Sequence, residues 1–436
     1  MENNLVNNTK VLYLLLHISN DDSNNIYDYS SKTIKYIKAF IKKQTYIVIT
    51  KDDIFLNIEQ HAEIQNKQGN ELIFHVQYDT NNIYILSNPM QNNLKLNQTN
   101  FDYLNNKIWY VLKTVDLKND EKFSNCNEEY YLNINDIIKI GKVKYAVQKI
   151  YLLQKKSKLN CPEPSMITDI EHKYNISNLN KNLNPVFEFI FPVKYYIKIN
   201  ENNNDLNDTV LIDKKYKCKY CINNNICDHD ENLLISVCQC KDLIHFKCLK
   251  NYLKGLQVKK DENENTTKYD EVMTFENFEC PICKNQYPIK FKLPNSDKIF
   301  NLIDIKEPTD CNFMILESID YKQNDRYCKS FHIIKFIKKN GEPFTIGRDN
   351  DNDIIDRDIS ISRHHAILKF NDVNGQISIQ NWNNKFGTSI LIRKPFTILD
   401  QKIYLQVGKT YIEANLMNLK DYLKEMENNY NAIIIN

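Results

Sequence analysis

Eight candidate metal ligands are strung through residues 218 to 283 as four close pairs, and nothing else in the sequence restricts the fold so sharply. The pairs are Cys218 with Cys221, Cys238 with Cys240, His245 with Cys248, and Cys280 with Cys283. Two residues between the members of a pair let one tight knuckle aim both ligand atoms at a single ion, and Cys238 and Cys240 do the same from an extended segment. Eight soft ligands in this pattern suit two tetrahedral zinc sites whose positions are all filled by protein, which makes the metal structural. Cysteines also serve as small buried hydrophobes, but four spaced pairs argue against that role here. Cys227 and His229 fall inside the series without completing another pair and are read as bystanders. Metal-like spacing in place of a disulfide framework points to a reducing compartment, cytoplasmic or nuclear. After His245, the residues Leu249, Tyr252, Leu253 and Leu256 recur at helical spacing, so Cys248 should open a short amphipathic helix.

The succession of four cysteines, a histidine and three cysteines over residues 216–292 resembles the RING-variant (RING-CH) finger. That resemblance implies interleaved coordination: Cys218, Cys221, His245 and Cys248 on one zinc, and Cys238, Cys240, Cys280 and Cys283 on the other. It also implies recruitment of a ubiquitin-conjugating enzyme, through Tyr220, Tyr252 and Pro281, with no catalytic side chain in the finger itself. The segment before His245 is shorter than is usual in that family, Tyr220 stands where an isoleucine is common, and Tyr252 replaces a helix tryptophan. A PHD finger shares the ligand order and often has an aromatic where Phe278 sits, which would make the chain a reader of histone tails. The "CLKNYL" run (248–253), Pro281 and the apolar "YPIKFKL" tail (287–293) favour the RING-CH likeness.

The remaining composition excludes more than it assigns. The 436 residues suffice for two to four domains. With 57 basic against 55 acidic residues, no global field steers the chain to nucleic acid or membrane, and nucleic acid is not an expected partner. No apolar run approaches the roughly 20 residues of a membrane helix, so a soluble protein with no membrane span is expected. "VLYLLLHIS" (11–19) reads as a core strand in preference to a signal segment. "SSKTIKYIKAFIKK" (30–43) reads as an amphipathic helix from Ile34, Ile37 and Ile41, and further strand-like runs make residues 1–155 a mainly β domain. Residues 156–215, rich in proline and polar side chains, read as a linker, partly disordered. "IIKIGKVKY" (137–145) echoes "YLQVGKTYI" (404–412), which raises a degenerate second copy of the C-terminal domain in 1–155, with a shared turn accident as the other explanation.

From Pro343 onward, apolar alternation with short polar turns describes a β-sandwich of roughly 100 residues. Three separated motifs within it, Gly347-Arg348, Ser362-Arg363-His364-His365-Ala366 and Gly387-Thr388, resemble the forkhead-associated (FHA) domain. A guanidinium presents a planar fork matched to phosphate oxygens, and a serine at a loop tip adds a short hydroxyl donor. The resemblance implies phosphothreonine-peptide binding by Arg348, Ser362, Arg363, Lys385 and Thr388, supported by Gly347, Gly387 and His365, whose ring ties adjacent loops. Because side chains alternate along a strand, His364 should face solvent while His365 is buried. Where the family usually has an asparagine before Gly-Thr, this chain has Phe386.

The expected architecture is therefore multidomain: a mainly β domain at 1–155, a linker at 156–215, an α+β cross-brace double-zinc RING-CH-like finger at 216–292, an all-β FHA-like sandwich at 305–418, and a tail with a short helix at 419–436. The expected function is a ubiquitin ligase whose FHA domain docks a threonine-phosphorylated protein while the finger, with two zinc ions, recruits the conjugating enzyme. A non-enzymatic phosphopeptide scaffold and a PHD-type chromatin reader are the alternatives.

Overall fold

Period-two alternation of apolar residues runs through both ends of the sequence, and a chain patterned that way buries one face of each strand against a second sheet. A computed structural model describes residues 10–19, 34–42, 45–49, 54–57, 71–79, 83–88, 104, 107–112, 128–153, 191–192, 194–196, 217–222, 233–238, 240, 242–258, 267–292, 298–319, 321–323, 326–339, 341–382, 384, 386–398, 402–428 and 433–435. Before the cysteine-rich region come β1 (Lys10–Ser19), β2 (Ile34–Ile41), β3 (Thr45–Ile49), β4 (Ile54–Asn57), β5 (Glu71–Asp79), β6 (Ile83–Ser87), β7 (Trp109–Val111), β8 (Tyr130–Tyr131), β9 (Ile137–Ile140) and β10 (Val143–Tyr151). Around the cysteines lie β11 (Phe191–Pro192), β12 (Lys194–Tyr196), β13 (Leu234–Ser236), β14 (Ile244–His245), α1 (Phe246–Gly255), β15 (Asp270–Phe275), β16 (Lys290–Lys292) and β17 (Ile299–Asn301). Then follow β18 (Phe313–Ile319), β19 (Tyr321–Gln323), β20 (Arg326–Lys335), β21 (Phe344–Gly347), β22 (Ile354–Ile355), β23 (Ala366–Asn371), β24 (Gln376–Asn381), β25 (Thr388–Leu391), β26 (Phe396–Thr397), β27 (Ile403–Val407), β28 (Thr410–Asn418), α2 (Leu419–Asn428) and β29 (Ile433–Ile435). Among the described residues, no helix is long and apolar enough to cross a membrane.

The largest sheet runs β15-β20-β18-β10-β9-β25-β7-β27-β28-β1-β2-β29, with β19 beside β20. Its ten central strands form a palindrome when β1 is matched with β18, β2 with β20, β7 with β25, β9 with β27 and β10 with β28. The two five-stranded sheets, β22-β21-β23-β24-β8 and β4-β3-β5-β6-β26, obey the same matching. Residues 10–151 and 313–418 thus repeat one ten-strand order, and each half lends its last three strands to the other. The sheets begun by β18 to β25 are completed by β8, β9 and β10, and those begun by β1 to β7 by β26, β27 and β28. One difference is local: β4 runs antiparallel to β3, whereas β22 runs parallel to β21.

An unpaired sheet edge leaves backbone donors and acceptors open, and here each half's edge is closed by the other half. β1 is zipped to β28 from Lys10 opposite Asn418 to Ile18 opposite Thr410, and β10 to β18 from Lys144 opposite Ile319 to Tyr151 opposite Phe313. At the centre, Ile390 of β25 lies opposite Tyr110 of β7 on one side and Ile138 of β9 on the other. The main core draws on both halves, from Leu12, Leu14 and Leu16 to Ile403, Leu405 and Ile412. The boundary expected at residue 155 therefore falls between stretches of chain that share continuous sheets. The echo between 137–145 and 404–412 coincides with two matched hairpins, β9–β10 and β27–β28, which turn through glycines of positive φ, Gly141 (63°) and Gly408 (54°).

The helix expected at 30–43 is corrected: residues 34–41 form strand β2. Ile34, Ile37 and Ile41 fit a helical period, but Ile37, Ala39 and Ile41 also alternate, and these three face the main core. Pairing with β1 on one edge and β29 on the other satisfies the β2 backbone, and tertiary ladders outweigh the weak local preference of a short segment. The opposite face is covered as well, because Phe40 and Val11 pack under Tyr422 of α2, with the Phe40 and Tyr422 rings 5.0 Å apart. The expected linker is corrected in part: β11 pairs with β16 and β12 with β13, so Phe191–Pro192 and Lys194–Tyr196 supply strands to the cysteine-rich unit. The rest of 156–190 and 197–215 lies outside the described residues, as do Cys227 and His229.

Reciprocal exchange predicts how the halves behave apart. Residues 1–155 and 300–436, co-expressed as separate chains, should co-purify as a one-to-one complex by size-exclusion chromatography with light scattering. Each alone, lacking three strands, should be insoluble or lack a cooperative melt; a 305–418 fragment that melts cooperatively as a monomer would contradict the exchange.

Candidate functional site

The two terminal knuckles of the cysteine-rich unit have the same backbone. Ile222 N–H donates to the Cys218 carbonyl and Lys284 N–H to the Cys280 carbonyl, both at 2.9 Å. The residue after each second cysteine takes positive φ, 58° at Ile222 and 59° at Lys284, a conformation unusual for a branched side chain that here turns the chain and leaves the paired sulfurs side by side. The extended β14 and the first turn of α1 place His245 and Cys248 beside the first knuckle. Ligand atoms of Cys218, Cys221, His245 and Cys248 all lie within 4.8 Å of one another, and so do those of Cys238, Cys240, Cys280 and Cys283.

These groups fit a tetrahedral ion. Bonds of roughly 2.3 Å from zinc to sulfur put neighbouring ligand atoms roughly 3.8 Å apart. The Cys238 and Cys280 sulfurs are 3.6 Å apart, those of Cys240 and Cys280 3.8 Å, and His245 Nδ1 lies 3.2 Å from Cys221 Sγ and 3.9 Å from Cys248 Sγ. The donor set is soft and His245 N–H donates to Cys218 Sγ at 3.3 Å, a bond that stabilises a thiolate ligand. Both groups could hold a metal ion, with first and third pairs on one point and second and fourth on the other. Leu249 and Leu253 of α1 are fully buried in the cluster that surrounds these cysteines, together with Phe278, Phe291 and Phe331.

Of the residues expected to face a conjugating enzyme, Tyr220 and Tyr252 meet, their rings stacked with centroids 5.0 Å apart and 22° between planes. Pro281 is exposed on the second knuckle, next to Ile282. Ile222 and Ile282, one on each knuckle, are 71% and 61% exposed, which is unusual for isoleucine. A groove of about 390 Å³ also borders α1, lined by Phe246, Lys250, Leu253, Met273, Phe275 and Leu302 among others. It lies on the β15 side of the helix and contains no metal-ligand candidate.

In the C-terminal half, β21 ends at Gly347 and runs beside the loop that carries Ser362. Arg348 N–H donates to the Ser362 carbonyl (3.1 Å) and His365 N–H to the Ile346 carbonyl (2.7 Å). This ladder sets the exposed Arg348 beside Ser362 and the exposed Arg363. Gly347 is required at the crossing, because a Cβ there would lie 1.9 Å from the Arg363 carbonyl oxygen. His365 is completely buried and bridges two loops: its Nδ1 accepts from Ser362 N–H at 3.0 Å and its Nε2 meets the Gly387 carbonyl at 2.9 Å. The proton therefore sits on Nε2, which donates to Gly387. Burial pushes the imidazole down to about 4, against the Gly387 bond, which favours the charged form. His364 turns outward as expected, half-exposed, stacking on Trp382 and meeting Asn352 Oδ1 at 3.1 Å.

One expectation changes. Thr388 is fully buried, with no hydrogen-bond partner for its hydroxyl among the described residues, so it supports the strand and does not reach the surface. Lys385 lies outside the described residues. Asn384, absent from the sequence reading, is the residue that closes the loop: its amide donates to the His365 carbonyl and its carbonyl accepts from Gly387 N–H. A primary amide offers two N–H donors and a separate acceptor oxygen on one short stem, and the cluster "NWNNKFGT" held that signal two positions before Phe386. Asn352, buried, likewise donates to the Arg363 carbonyl at 2.7 Å.

The His365 bridge predicts a pH dependence. The unfolded ring takes up a proton near 6.5 and the folded ring only near 4, so the unfolded chain binds more protons between these values and stability falls as pH drops through that window. The loss should approach about 3 kcal/mol. His365→Ala should cost ~1–3 kcal/mol at neutral pH in urea denaturation, and the gap to wild type should narrow toward pH 4. For the cysteine groups, elemental analysis of the folded chain should return two zinc ions, and Cys280→Ser should remove one; fewer than two in the wild type would refute paired sites.

Residues 344–410 match the family model of the FHA domain, while no curated protein and no solved structure matches the chain. The match spans Gly347, Arg348, Ser362, His365 and Gly387, so the chain carries an FHA domain, a fold that binds phosphothreonine peptides.

Proposed function

We propose that this chain is a phosphothreonine-directed ubiquitin ligase of the RING type. The observation that carries it is the interleaving of the eight ligands, with α1 following the sixth, in the same chain as an FHA domain. Zinc, when bound, supplies a charge-neutralised cross-link between loops that are otherwise held by a small core. Around that scaffold the stacked Tyr220 and Tyr252, with Pro281 and the exposed Ile222 and Ile282, supply an apolar surface suited to a conjugating enzyme.

Arg348, Ser362 and Arg363 grip the phosphate of a docked protein through charge-assisted hydrogen bonds. The docked protein's lysines are then held at high effective concentration beside the thioester. In the transfer, a substrate lysine amine attacks the thioester carbonyl, the new C–N bond replaces the C–S bond, the conjugating enzyme's thiolate leaves, and the amine's proton passes to solvent. No side chain of the finger acts as nucleophile or base. Tyr220 and Tyr252 stack on each other and leave no space for a cation between them.

One observation favours a purely structural finger in a phosphopeptide scaffold. β15 pairs with β20 from Asp270 opposite Ile334 to Phe275 opposite Lys329, and Phe278 N–H donates to the Tyr327 carbonyl at 2.7 Å, which bolts the second knuckle to the sandwich.

A reconstituted ubiquitination assay across a panel of conjugating enzymes separates the two. A ligase should build chains on itself and, faster, on a threonine-phosphorylated protein it docks. Arg348→Ala should abolish the phosphorylation-dependent gain and weaken phosphopeptide binding at least about tenfold, the worth of one good charge-assisted contact, with the melting temperature unchanged. No chains from a zinc-loaded protein with any conjugating enzyme would leave the scaffold.

A further inference from the structure

The loops that face the phosphate are not supplied by the C-terminal half alone. The β9–β10 turn, Gly141 and Lys142, belongs to the first half and reaches them through the strand exchange. Lys142 N–H donates to Ser360 Oγ at 2.7 Å, and Gly141 N–H approaches the Gly387 carbonyl at 3.5 Å, the same oxygen that His365 grips. Contact is tight: a Cβ on Gly141 would lie 2.6 Å from the Ser360 carbonyl oxygen and 2.7 Å from its hydroxyl. Ser360 is buried, its hydroxyl donating to Asp358, so the turn is seated on the base of the loop that carries Ser362.

The Lys142 side chain takes no part in that seat. It is exposed, and among the described residues no carboxylate pairs with it. An ammonium on a flexible four-carbon stem, mounted on a turn fixed to both the Ser362 loop and the Gly387 loop, can reach a ligand held between them. A phosphothreonine carries about −1.5 to −2 charges at neutral pH, so an ammonium within reach adds attraction to that of Arg348 and Arg363.

We propose that Lys142 is a phosphopeptide-binding residue, so that the site is assembled from both halves of the chain: Arg348, Ser362 and Arg363 from one and Lys142 from the other. This rests on the phosphothreonine reading above. It follows that residues 344–410 hold the recognisable motifs without holding the whole site.

The test is fluorescence anisotropy on the full chain, with a degenerate phosphothreonine peptide library and its unphosphorylated counterpart as probes. Lys142→Ala should weaken binding of the phosphorylated library about two- to fivefold and Lys142→Glu about tenfold, in line with an exposed charge pair. Lys142→Arg should retain it, and the alanine variant should lose part of the salt dependence, which a structural role would not change. Folding is not at risk, because the Ser360 contact is made by the backbone amide, and unchanged melting temperatures check this. If both variants bind like wild type while Arg348→Ala fails, Lys142 is outside the site and the phosphothreonine reading stands. If the wild-type chain does not distinguish phosphorylated from plain peptides, that reading falls and this inference with it.

Discussion

The ladder between β25 and β9 is the contact on which the rest of the molecule depends. Thr388 opposite Ile140 and Ile390 opposite Ile138 join a strand of the C-terminal half to a hairpin encoded some 250 positions earlier. That pairing closes an edge the C-terminal half cannot close for itself, and the mirror pairing of β7 with β27, Leu405 opposite Tyr110, does the same for the first half. The two exchanges meet at β7 and β25, so each half's sheets are completed by strands of the other. The buried centre includes a cost: Lys139 of β9 is desolvated, its ammonium pushed down to about 7, and it is accommodated by Gln406 Oε1 at 3.0 Å and the face of Trp109.

The same principle of borrowed edges carries the cysteine-rich unit. β15 continues the large sheet beyond β20, and the chain then runs through Asn277, Phe278 and Glu279 into the Cys280 knuckle. Arg326 donates to Asn277 Oδ1 at 3.0 Å and Tyr327 N–H to the Glu279 carboxylate at 3.3 Å. At the far end of β15, the carboxylate of the fully buried Asp270 meets His332 Nδ1 at 2.8 Å. A carboxylate at zero exposure persists only with such a partner, so this contact fixes the strand's register against β20. The second cysteine knuckle is thereby tied to the end of the large sheet.

Short-range chemistry was readable in advance. Cysteine spacing identifies knuckles because two residues are the length of the turn, and both tetrads converge as the RING-CH resemblance implied. The buried, loop-tying His365 was readable because a Ser-x-x-His loop is a local pattern. Misreadings occurred where two patterns coexist or a contact is remote. Residues 34–41 carry both a helical and an alternating period, and the choice was made by neighbouring strands. Thr388 belongs to a motif yet its side chain enters the core, and Asn384 ties the loop by bonding the remote His365 carbonyl and the Gly387 amide.

What the sequence by itself determined is the set of groups whose partners lie within a turn or a loop: the knuckles, the Gly-Arg and Ser-x-x-His loop tips, and the alternation that makes both ends β. What only the tertiary structure decided is which strand lies beside which. Hydrogen-bond ladders are indifferent to side-chain identity, so nothing in 137–151 or 403–418 declares which half it will complete. That choice, made when the two sandwiches closed each other's edges, is also what brought Gly141 and Lys142 to the loops that carry Ser360 and Gly387.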